Sequence, residues 1–328
     1  MEKIFITGGT GFIGGNLVEK LLAKGYKVKV LVRNDKKLKP HKWKDRVEVI
    51  YGDILEPESF VDKISDCEII IHSAALIAWW KRIYKKIYDI NVIGTKNVLD
   101  AALKSKCKKF IHLSSVAAVG YGENEEPINE EHSYNWGKFN IPYMETKRMA
   151  ELALNEAIQK GLNALMVNPA NVWGIGDING RRVPVIKMIR LGFPFYTNGG
   201  TNFVDVDAVC EAIINAITLG KCGERYILGG ENLTIKDFMN MIADEIKGRR
   251  PFIKIPKLPI VLFSYTQEAL GIFTRISPRP TASQLCFIGR HIYYDSTKAI
   301  KELKMPVISM RECIHKTIRY YRENNLIH

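Results

Sequence analysis

A chain of 328 residues is long enough to bury one large α/β domain, or a large domain with a smaller companion. Its 46% apolar and 25% charged residues match an ordinary globular protein and exclude a low-complexity or disordered chain. The formal charge of +13 is scattered, with short clusters such as "KRIYKK" (81–86) and "KCKK" (106–109) in place of a basic stripe, so no nucleic-acid partner is expected.

The first strand is expected over residues 3–7, which leaves no room for a secretory n-region. Gly8, Gly11 and Gly14 then stand three apart, ahead of an amphipathic helix at 13–24. A strand, a tight glycine turn and a helix N-terminus make an anion site, because backbone N–H groups and the helix dipole point at a phosphate. Gly8 allows the turn, Gly11 lets the backbone approach a pyrophosphate, and Gly14 permits close helix–sheet packing. The predicted ligand is a dinucleotide, held by Thr7, Gly8, Gly11, Phe12, Ile13 and Gly14. A purely structural glycine turn is the alternative. The second strand, 27–32, ends at Arg33, with no acid before Asp35. An NAD site commonly has an acid there for the ribose 2′-hydroxyl, whereas arginine suits a 2′-phosphate. NADP(H) is therefore expected over NAD(H), the bland reading being a surface arginine at a strand end.

Further strands are read at 47–51, 68–72, 108–113 and 163–168, with helices at 87–104 and 143–160. Runs such as "EIII" and "KFIHL" are apolar without alternation, as in a parallel sheet covered on both faces. After the fourth strand, Ala74 and Ala75 are small enough for a coenzyme to lie against the backbone. Hydride transfer to a carbonyl needs a proton donor, and a tyrosine with a lysine at i+4 on one helix face supplies one whose pKa the cation pulls down. Three such pairs occur. Tyr134…Lys138 falls in a polar stretch read without a helix. Tyr294…Lys298 is near the C-terminal end, where Asp295 or Ser296 reads as a helix cap. Tyr143…Lys147 opens the helix at 143–160 and precedes the sixth strand, so it alone is placed beside the coenzyme. The fifth strand ends in Ser114 and Ser115, either of which could donate to a substrate oxygen.

Beyond Pro169 glycines and prolines become frequent, and the chain is divided into a dinucleotide-binding domain, 1–170, and a mainly substrate-binding lobe, 171–328, with some later segments returning to the first. Helices are expected near 182–191, 205–219, 234–247 (Thr234 as N-cap) and 309–324. The apolar stretch 255–278 is core, a partner face or a membrane-surface patch, with core or pocket wall the favoured reading, and its "LPIVLF" is too short to cross a membrane. Six cysteines without C-x-x-C or close His/Cys spacing are expected to be reduced thilols of a cytoplasmic protein, with no metal site.

The glycine spacing, the Tyr143–Lys147 pair and the stretches "VNPANVWGIGD" (167–177) and "TNFVDVDAVCEAI" (201–213) resemble the extended short-chain dehydrogenase/reductases. Within them the chain is most similar to the dihydroflavonol 4-reductase-like group, which includes proteins called hopanoid-associated sugar epimerases. The resemblance implies a Rossmann-like doubly wound parallel sheet with a smaller C-terminal lobe. It places Asp53 and Ile54 at the adenine, and Asn91 and Pro169 near the coenzyme, with a structural asparagine as the alternative at 91. Register with the family assigns Ser115, not Ser114, to catalysis beside Tyr143 and Lys147. The implied activity is NADP(H)-dependent reduction of a ketone or aldehyde, or the reverse oxidation of an alcohol, with aromatic residues such as Trp79 lining the pocket. A nucleotide-sugar 4-epimerase with bound NAD is the second reading, using Asn171 and either Arg181 or Arg182, although Asn168 stands where that branch commonly has arginine. A 4,6-dehydratase is rejected because Val116 and Ala117, not acids, follow Ser115. A binding-only protein would be expected to have lost part of the Ser–Tyr–Lys set. A homodimer is compatible with the sequence.

Overall fold

The computed structural model describes residues 2–178, 180–274 and 281–327. Strands in chain order are β1 (Lys3–Thr7), β2 (Lys27–Val32), β3 (Glu48–Tyr51), β4 (Ile69–His72), β5 (Lys109–Leu113), β6 (Ala164–Pro169), β7 (Asn171–Trp173), β8 (Phe195–Tyr196), β9 (Gly200–Asp205), β10 (Arg225–Leu228), β11 (Glu231–Thr234), β12 (Ile253–Lys254) and β13 (His291–Ile292). Helices are α1 (Phe12–Ala23), α2 (Asp35–Leu38), α3 (Tyr84–Tyr88), α4 (Gly94–Ser105), α5 (Pro142–Gln159), α6 (Val183–Arg190), α7 (Val206–Leu219), α8 (Ile235–Glu245), α9 (Lys257–Thr274), α10 (Thr297–Glu302) and α11 (Met310–Glu323).

Seven strands form one parallel sheet in the order β10-β6-β5-β4-β1-β2-β3. Each strand sends alternate side chains to opposite faces, and both faces are covered. Ile4 and Ile6 of β1 pack with Leu17, Val18 and Leu21 of α1 on one side. Phe5 packs with Phe60, Val98 and Leu99 on the other. This explains why the strands read as continuous apolar runs. Strand order reverses between β1 and β4, the position where a doubly wound sheet opens a crevice for a ligand. A smaller sheet joins β7, β9, β11 and β13, and β10 returns from this later part of the chain to the edge of the central sheet.

Three expectations change. The helix expected at 87–104 is α3, a π-helical turn at Asp89–Ile93 and α4. In the turn, Asn91 is tied to another segment of the chain, and such turns often mark functional sites. The polar stretch around Tyr134 holds a 3-10 turn, Trp136–Phe139, organised by the fully buried Trp136. The apolar stretch read as core or pocket wall forms α9 over its described part, but that helix leaves Leu258, Leu262, Phe263, Tyr265, Leu270 and Phe273 exposed. Its inward face combines the half-buried Ile260 and Val261 with Ser264, Gly271 and Glu268, the last accepting a hydrogen bond from the Ala282 N–H. Residues 275–278 of that reading lie outside the described residues.

Candidate active site

Gly8 follows β1 with φ +73°, and a Cβ there would meet the Ser73 and Ala74 backbone at 2.6–2.7 Å. Only glycine fits that approach of the first turn to the end of β4. Gly11 is the N-cap of α1 and provides no side-chain cap, so the first N–H groups of the helix are left for an external acceptor. A Cβ on Gly14 would strike the Gly8 carbonyl, so Gly14 seats the helix on the glycine turn itself and not on the sheet. Phe12 and Ile13 pack against the core behind the turn. An uncapped helix N-terminus at the sheet's switch point, with a cradle no side chain can enter, fits a dinucleotide pyrophosphate.

Thr7 and Asn91 belong to the scaffold of this site. Thr7 is fully buried, shares a 2.7 Å hydrogen bond with His72 Nδ1, and accepts one from the Ala74 N–H. Asn91, 1% exposed, accepts from the Leu76 N–H and donates to the Leu76 carbonyl and Thr146 Oγ1. These bonds make both side chains hold the loop after β4, the structural alternative given for Asn91; in that loop Ala74 is half-buried and Ala75 exposed. Ile54 is buried against Gly94, and Asp53 is bonded to the Leu55 N–H. Pro169 is buried at the end of β6.

Tyr143 lies in the first turn of α5 and Lys147 one turn on, both buried. Lys147 Nζ donates to the Leu113 carbonyl at 2.9 Å, which brings α5 to the end of β5. Beyond that strand, Ser115 has extended backbone, caps the Ala117 N–H and lies beside Tyr143. Ser114 points away and donates to Glu151 Oε1 at 2.6 Å. Thus the structure gathers Ser115, Tyr143 and Lys147 and separates Ser114 from them. Burial pushes the Tyr143 phenol up to about 12 against the opposing pull of Ser115, so here burial outweighs the effects that favour the tyrosinate. Burial brings Lys147 down to about 8, with the Glu151 charge resisting.

The two other pairs have separate employment. Tyr294 is buried and donates to the Gly120 carbonyl, while Lys298 pairs with Glu224. Lys138 lies over the rings of Tyr121 and Phe139 and pairs with Glu123.

Trp79 meets Tyr143 edge-on, with ring centroids 5.4 Å apart, and meets Phe287 at the same separation. Phe287 also contacts Trp136. Sequence reading missed Phe287, because a lone phenylalanine 144 positions after Tyr143 carries no local signal. It missed Glu151 as well, a fully buried carboxylate that accepts from Ser114, Asn168 Nδ2 and Arg225. The available signal was its i+4 spacing from Lys147 on a buried helix face. Asn168 also donates to the Ser115 carbonyl, which gives this asparagine a role in place of the arginine expected in epimerases.

Arg33 is half-exposed, 3.9 Å from Asp53, and lines a cleft of about 480 Å³ with Arg82, Lys85 and Lys86. Lys37 is lowered by burial and then by the charges of Arg33 and Arg181. Arg181 is exposed, and its charge reaches Lys37. Asn171 is exposed, and its Oδ1 accepts from Arg182, whose guanidinium also bonds the Val172 carbonyl and lies over Trp173. The chemistry gathered here is that of a dinucleotide-dependent oxidoreductase.

Comparison with known proteins gives the family. Residues 4–229 match the NAD dependent epimerase/dehydratase family, and the chain belongs to it. It is an NAD(P)-dependent oxidoreductase of the extended short-chain type. A Synechocystis sp. protein with the provisional name dihydroflavonol 4-reductase is 28% identical, over 99% of this chain and 96% of that one. Sterol demethylase protein B of Methylococcus capsulatus is 26% identical, over 98% and 99%. The crystal structure of gox2253 superposes with a TM-score of 0.85 at 28% identity, covering 100% of both chains.

Proposed function

We propose that this protein reduces an apolar, ring-bearing ketone or aldehyde with NADPH. The observation that carries the reading is Tyr143, set beside Ser115, one turn from Lys147 and walled by Trp79 and Phe287. When bound, the coenzyme supplies a hydride for the carbonyl carbon. Tyr143 keeps its proton at neutral pH and hands it from Oη to the carbonyl oxygen, which leaves an alcohol and a tyrosinate. The Ser115 hydroxyl donates to the same oxygen and fixes its position. Lys147, still protonated at neutral pH, stabilises the tyrosinate through its charge. Trp79 and Phe287 exclude water and favour a flat apolar substrate.

The names of the relatives, a sterol-acting protein and a dihydroflavonol reductase, support a bulky ring substrate. Preference for NADPH is supported by Arg33, by the three further cations of its cleft and by Arg181 close to Lys37. The test is NADPH oxidation at 340 nm with hydrophobic ketones and aldehydes, beside a coupled assay for epimerised UDP-sugar. Turnover of the first class is expected. Epimerisation of a UDP-sugar without added coenzyme would replace this reading with that of an epimerase.

A further inference from the structure

Helix α9 turns its apolar side to solvent. Leu258, Leu262, Tyr265, Ala269 and Phe273 recur at helical intervals, and Thr266, Leu270 and Phe263 widen the stripe to about 160° of arc at 100° per residue. The inward face carries Ser264 and Gly271, both buried, and Glu268, the one charged residue between 258 and 274. The patch continues past the helix start. Phe252 is 53% exposed beside β12, where it bonds the Pro194 carbonyl, and Leu191 on the preceding turn is 88% exposed. Cations stand around this end: Lys187, Arg190, Arg249, Lys254 and Lys257 are exposed, while Asp244 is paired with Arg250.

We propose that α9 and the adjoining Leu191–Phe252 edge dock on the surface of an anionic lipid bilayer. An apolar face with a basic rim matches acyl chains below anionic headgroups. The arc is wider than the narrow seam through which two helices pair, and a net charge of +13 opposes a second copy of the chain. No helix among the described residues is long and apolar enough to cross a membrane, so the helix lies on the surface and does not span it. Its inward face packs on the 3-10 turn Ala282–Phe287, which ends at the aromatic residue touching Trp79. A lipid-soluble carbonyl would thus leave the bilayer one element away from Tyr143. That last clause rests on the apolar-substrate reading, whereas the docking itself does not.

The experiment is flotation of the full chain with phosphatidylcholine vesicles, with and without about one-third phosphatidylglycerol. Binding to the anionic vesicles, weakened by salt, is expected. Leu262→Glu/Phe273→Glu should cut it by about tenfold or more, with turnover of a water-soluble aldehyde unchanged. Lys254→Glu/Lys257→Glu, which spares the apolar face, should weaken binding to anionic vesicles and serves if the first variant fails to fold. Wild-type protein left unbound by both vesicle types would overturn the proposal. So would a dimer that the Leu262→Glu/Phe273→Glu change converts to monomer, since the face would then belong to a second copy. Vesicle binding without turnover of any apolar ketone would uphold the docking and sink the functional reading alone.

Discussion

Raising the pH through 8 should switch off carbonyl reduction by taking the proton from Lys147. Burial holds this ammonium near 8, below its ordinary value, so its charged form is lost as pH rises through that point. Lys147 would be about nine-tenths protonated at pH 7 and slightly under one-tenth at pH 9, so the rate should fall roughly tenfold across that span. Tyr143, pushed to about 12, keeps its proton throughout, so the falling limb belongs to the lysine. The assay is kcat for NADPH oxidation with coenzyme and carbonyl both saturating, at constant ionic strength. Lys147→Met should lower the rate and remove the limb, leaving a flat profile from pH 7 to 9. A wild-type rate that stays level to pH 10, or an unchanged limb in Lys147→Met, would refute the assignment of this charge to the tyrosinate.

Tyr143→Phe should lower turnover by about 10²-fold or more with coenzyme affinity nearly unchanged, while Tyr134→Phe leaves the rate intact. Turnover and fluorescence titration separate these outcomes. Arg33→Asp should reverse the preference between NADPH and NADH in the same titration, and equal wild-type affinities would remove the argument from Arg33. Gly8→Ala adds a Cβ against the Ser73 and Ala74 backbone at positive φ, and thermal melts should show a drop of several degrees along with lost coenzyme binding. Glu151→Ala leaves Arg225 without its buried partner, at a cost of about 3–5 kcal/mol read by urea denaturation.

Much of this protein was legible from local pattern. The six strands up to Pro169, the glycine turn and the helix bearing Tyr143 and Lys147 follow from apolar runs, small residues and i+4 spacing, all of which act over a few neighbouring residues. Spacing alone did not separate three Tyr–Lys pairs. The separation was argued from strand order, and in the structure Lys147 bonds β5 while Lys138 and Lys298 pair elsewhere.

Other features depend on what the fold sets against each residue. Thr7 and Asn91 have the chemistry to meet a coenzyme, but their neighbours across the β4 loop take up their hydrogen bonds. The ionisation of Tyr143 and Lys147 is governed by burial, a property of the whole packed chain that no spacing reports. Apolarity in α9 suggested core, yet burial requires a partner surface, and its outer arc has none among the described residues. Sequence by itself determined six of the seven strands of the sheet and the glycine turn between the first strand and its helix, because backbone sterics and side-chain periodicity are local. Tertiary structure alone decided which polar groups remain free for chemistry and which apolar ones face outward, because both depend on residues distant along the chain.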